Sequence, residues 1–67
     1  MDYAQEVLAI EARLKAARKP VAEMLRAADV SASQWQRWKT RHQEPLRTTW
    51  ARITAATDQV LQQPEVA

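Results

Sequence analysis

Apolar residues recur along this chain at helical spacing, and nowhere do they alternate with polar ones as a half-buried strand would require. The stripe Tyr3, Val7, Ile10, Leu14 and Ala17, with Leu8 beside it, predicts a helix over about residues 3–18. Asp2 stands at its N-cap position, and Gln5 three residues on makes a capping pair with it. Val21, Met24, Leu25 and Ala28 form a second stripe. Pro20 disfavours a helical predecessor but fits a first helical turn, so this helix is expected over about 20–28. The third element, about 32–40, opens with Ser31 and Gln34 in the S-x-x-Q form of the capping box and carries Trp35 and Trp38 on one face. A fourth helix, about 47–62, follows Pro45 and turns Leu46, Trp50, Ile53, Thr57 and Val60 inward, with Leu61 adjacent. Pro64 ends it, and residues 63–67 are expected to fray.

Short connections between these stripes predict one all-α domain, a compact four-helix arrangement whose three tryptophans meet near its centre. Residues 20–40 read as helix, tight turn Asp29-Val30-Ser31, helix. That is the outline of a helix-turn-helix, with Val30 plugging the corner.

Composition narrows the class. A chain of 67 residues is a single domain, and at this size about 60% of the unfolded chain's surface is buried on folding. It has no cysteine, so disulfides cannot reinforce it, and no ligand spacing suggests zinc. Stability must come from helix packing around large apolar side chains. Glycine is absent and alanine abundant, which favours helix over hairpins. No apolar run is long enough to cross a bilayer and the opening residues do not read as a signal peptide, so the cytoplasm is the expected compartment.

The net charge of +2 says little, but its distribution says more. Residues 1–30 carry five acids and five bases. Residues 31–52 carry Arg37, Lys39, Arg41, Arg47 and Arg52 against the single acid Glu44. The basic patch therefore coincides with the third helix and the start of the fourth. With both indoles facing in, the third helix presents Ser33, Gln36, Arg37 and Thr40 outward. Hydroxyl, amide and guanidinium groups are the chemistries that read base edges and grip phosphates. It reads as a recognition helix.

The segment Met24 to Lys39, followed by Gln43-Glu44-Pro45, resembles the lambda-repressor-like helix-turn-helix proteins, the group of phage repressors, Cro proteins and xenobiotic-response-element-type regulators. The matching pieces are the Val30-Ser31-Ala32-Ser33 turn, Arg37-Trp38 near the end of the third helix, and Pro45 before the next. The resemblance spans about residues 5–62 and implies a sequence-specific regulator that places its third helix in the major groove of double-stranded DNA. Carried over by position, it implies that Trp35 and Trp38 are buried, that Ala32, Ser33, Gln36 and Arg37 face bases, and that Lys39, Thr40 and Arg41 edge toward phosphates. Ser31 and Arg47 complete the phosphate candidates. Family members often pair on half-sites one DNA turn apart, so a homodimer is allowed for, though no surface is marked for it beyond the extra Leu8.

Four positions depart from the family pattern. Asp29 and Arg41 stand where glycine is common; Asp tolerates a left-handed backbone, so the first turn survives at some cost. Leu25 replaces a small residue and is expected to hold the two helices farther apart. Val21 stands where an anchoring Gln often grips phosphate.

Blander readings compete at several sites. Lys15, Arg18 and Lys19 serve a helix C-terminus or add phosphate contacts. Trp35 and Trp38 could form a stacking platform for single strands, but their spacing fits the core better. Glu6 and Glu11 belong to the solvated face of the first helix, and His42 to a solvated loop. An interaction module of phage type, docking on a host protein, is the competing function. An enzyme is disfavoured: there is no nucleophile–base set, phosphate loop, cofactor motif or room for a small-molecule substrate pocket.

Overall fold

The computed structural model describes residues 2–62. Four helices follow in order: α1, Tyr3–Ala16; α2, Val21–Ala28; α3, Ala32–Lys39; and α4, Arg47–Gln62. No strand occurs among the described residues, as the pattern predicts. α2 lies chiefly against α4 and α1 chiefly against α3. The two helices of the helix-turn-helix make few close approaches to each other, and Leu25 is buried in the core.

The core is built mainly from the predicted stripes, with Ala56 as an addition. Val7, Ile10 and Leu14 of α1, Met24, Leu25 and Ala28 of α2, Trp35 and Trp38 of α3, and Trp50, Ile53, Ala56 and Val60 of α4 join Val30 in one cluster. Each fully buried aliphatic side chain contributes about 1.5–3 kcal/mol, which is how a small chain without staples holds together. Thr57 is buried too, and its hydroxyl donates to the Ile53 carbonyl at 2.8 Å, so it adds no unsatisfied group. The tryptophans share the cluster but not one contact. Trp35 and Trp38 meet edge to face at 6.0 Å, whereas Trp50 meets Tyr3 of α1 at 5.1 Å.

The first three helices end the same way. Ahead of Arg18, Asp29 and Arg41, all left-handed at φ 60°, 59° and 64°, the last carbonyls are satisfied by reversed hydrogen bonds. The amides of Lys19, Val30 and His42 reach back to the carbonyls of Leu14, Leu25 and Arg37 at 2.9, 3.0 and 2.9 Å, the Schellman pattern in which glycine is usual at the left-handed residue. This chain makes three such ends with no glycine. The left-handed backbone at Asp29 agrees with the sequence expectation.

Three expectations need correction. α1 stops at Ala16 and not at Arg18, because Pro20 forbids helical continuation at Lys19 and the chain turns away first. Pro20 sits outside α2 as its extended N-cap (φ −72°, ψ 141°), accepting from the Glu23 amide with its carbonyl. Leu46, read as the first inward residue of α4, precedes the helix and is 73% exposed. Its carbonyl accepts from Trp50 while the buried Pro45 takes the inward position. The expected fraying of residues 63–67 lies outside the described residues.

Candidate functional site

α3 is eight residues long, too short to persist by its own propensity. It is held in three ways. At its start both arms of the capping box are present: Gln34 N–H donates to Ser31 Oγ at 3.1 Å and Ser31 N–H to Gln34 Oε1 at 3.2 Å. Along its length Trp35 and Trp38 are sunk into the core, 4% and 3% exposed. On its α1 side, Trp35 Nε1 donates to Glu11 Oε2 at 2.9 Å.

With that face committed, the opposite one is free. Ala32, Ser33, Gln36 and Arg37 are all exposed, as is Thr40 at the helix end. At about 100° per residue they make one continuous surface. Ser33, Gln36 and Arg37 thus offer a hydroxyl, an amide and a guanidinium side by side. Arg37 and Arg47 have no ion-pair partner among the described residues. Arg47 opens α4, next to a groove lined by Gln34 and Trp38 of α3 and by Pro45, Leu46 and Thr49.

The remaining phosphate candidates are already engaged. Ser31 spends its hydroxyl on the cap. The Thr40 hydroxyl donates back to the Gln36 carbonyl at 3.0 Å and lies 2.7 Å from His42 Nδ1. Lys39 Nζ is 2.9 Å from Glu11 Oε1 and 3.0 Å from Oε2. Arg41 Nη2 is 2.7 Å from Asp2 Oδ2. Lys39 and Arg41 therefore stand at the predicted edge as ion-paired cations.

Asp2 caps α1 and Glu11 lies within it, and neither is among the residues that the sequence predicts for this surface. Asp2 does cap its helix, Oδ1 accepting from the Ala4 amide at 3.1 Å, but it is not paired with Gln5 in a capping box. Its second oxygen crosses to Arg41 instead. The guanidinium hydrogen-bonded to it is the main reason the Asp2 carboxyl lies below its ordinary value; desolvation opposes the shift, and the first-turn amides and the Arg41 charge add to it. Glu11 corrects the assignment to a solvated face: its side chain is 24% exposed and serves both Trp35 and Lys39. The sequence does carry a signal for it, since Glu11 borders the Val7–Leu14 stripe at helical spacing from both.

Among the described residues no group of His, Asp or Glu is arranged to hold a metal, and no helix is long and apolar enough to cross a membrane. Comparison of the chain with protein families, curated proteins and solved structures gives no match.

Proposed function

We propose that this protein is a small sequence-specific DNA-binding regulator, of the phage repressor or Cro kind, that inserts α3 into the major groove of duplex DNA. One observation carries this: the exposed Ser33–Gln36–Arg37 face of a short helix whose opposite face is anchored by two buried tryptophans. A rigidly seated helix presenting those groups suits a groove wide enough to admit it. Arg37 can give a guanine edge a bidentate pair, Gln36 an adenine edge, and Ser33 either. Arg47, at the start of α4 and without an ion pair among the described residues, is the cation offered to a flanking phosphate. No catalytic step is assigned to the molecule, and it needs no cofactor for this role.

A docking module for a protein partner is the second reading. Leu46 at 73% exposure and the internal neutralisation of Lys39 and Arg41 favour it.

Selection of bound duplexes from a random pool, followed by a salt titration on the selected sequence, separates the two. A DNA regulator enriches a defined site, and its affinity falls steeply as salt rises because phosphate neutralisation releases counterions. Absence of duplex binding even at low salt eliminates the DNA reading. Sedimentation of the complex reports whether two copies bind a palindromic product.

A further inference from the structure

We infer that α1 acts as a built-in electrostatic competitor of the DNA backbone: Asp2 and Glu11 hold Arg41 and Lys39 in ion pairs that phosphate must displace. This rests on the DNA-binding proposal and concerns how that same surface is regulated.

The geometry is specific. Asp2 Oδ2 occupies the Arg41 Nη2 donor at 2.7 Å, where a phosphate oxygen would bind, and both Glu11 oxygens lie within 3.0 Å of Lys39 Nζ. The two pairs flank the end of α3, so two of the five cations of the basic patch, Lys39 and Arg41, are already paired before any duplex arrives. Among the described residues no acid pairs with Arg37. The competitor thus acts on phosphate contacts, which carry no sequence information, and spares the side chains that face bases. It sets the absolute affinity for any duplex and leaves the preference to Ser33, Gln36 and Arg37.

The two acids also have structural duties, and isosteric amides separate those from the charge. Asparagine at position 2 keeps an oxygen for the Ala4 amide and is as good an N-cap as aspartate. Glutamine at position 11 keeps an acceptor for the Trp35 indole. Asp2→Asn and Glu11→Gln therefore fold with their helices capped and seated, as circular dichroism melts would verify, while releasing Arg41 and Lys39.

The test measures binding of the full chain to a selected duplex and to a scrambled duplex, at low and high salt. Exposed ion pairs contribute little, so each variant is expected to bind about two- to fivefold tighter at low salt. The gain should be equal on both duplexes, shrink at high salt, and vanish for Asp2→Asn in an Arg41→Gln background. If the wild-type chain binds DNA and the amide variants bind no tighter, or if the Asp2→Asn gain survives without Arg41, the competitor is refuted while the DNA reading stands. If neither the wild type nor the Asp2→Asn/Glu11→Gln double variant binds any duplex, the DNA reading itself falls, and this inference with it.

Discussion

The Glu11 carboxylate accepts the Trp35 indole N–H at 2.9 Å, joining two residues that are 24 positions apart in sequence. It is the polar counterpart of the apolar contact between α1 and α3. Removing the acceptor strands a donor on a ring that is 4% exposed, and Glu11→Ala should cost about 1–3 kcal/mol. Glu11→Gln retains the acceptor and should cost clearly less. Urea unfolding followed by tryptophan emission gives the comparison. Equal losses for the two variants would show that the indole bond is not what Glu11 supplies.

Spacing predicts both Trp38 and Leu46 in the core, and only Trp38 is there. Trp38→Ala removes a buried ring and should cost about 3–5 kcal/mol, enough to unfold a domain of this size. Leu46→Ala removes an exposed side chain and should stay within about 0.5 kcal/mol of the parent. Thermal melts of the two variants decide it. A large loss for Leu46→Ala would place that residue against the core after all.

Arg18 holds a left-handed backbone (φ 60°) that its β-carbon opposes. That conformation costs a non-glycine residue about 1–2 kcal/mol. Glycine relieves the strain but adds about 0.5–1 kcal/mol of unfolded-state entropy. Arg18→Gly should therefore raise stability by about 0.5–1 kcal/mol, and Arg18→Val, β-branched, should lower it. Chemical denaturation midpoints test the pair, and a lower midpoint for Arg18→Gly would contradict the Schellman geometry.

Asp2 titrates below its ordinary value of 3.8 in the folded chain, chiefly because Arg41 hydrogen-bonds to its carboxylate. A depressed carboxyl stabilises the fold above its unfolded value, and that contribution fades as pH falls through the lower folded value. The wild type should thus be more stable than Asp2→Asn near neutrality, with the gap closing as acid protonates Asp2. Melting both proteins from pH 7 down to about pH 2 follows the gap across this range. A gap independent of pH would assign the difference to the cap and not to the charge.

Arg37→Ala should weaken a selected duplex by about 1–3 kcal/mol and relax preference at one base pair, the signature of a base contact. Arg47→Ala should weaken all duplexes alike and reduce the salt slope, the signature of a phosphate contact. Binding isotherms on the selected site and on single-base variants of it distinguish the two. A uniform loss for Arg37→Ala would move that residue to the backbone.

Helix positions, the burial of both α3 indoles and the exposure of Ser33, Gln36 and Arg37 follow from spacing alone, because a helix repeats every 3.6 residues and one face must leave water. The turn at Asp29 is equally local: a few backbone hydrogen bonds and a residue that tolerates positive φ suffice. What tertiary structure decided is every pairing between residues distant in sequence. Leu46 has the same spacing as a core residue, yet it falls ahead of the first turn of α4, where Pro45 fills the space. Asp2 and Glu11 look like a cap and a solvated acid until α1 is laid along α3. Only that packing brings their carboxylates within hydrogen-bond reach of Arg41, Lys39 and Trp35, since periodicity reports which way a side chain points and not which neighbour it meets.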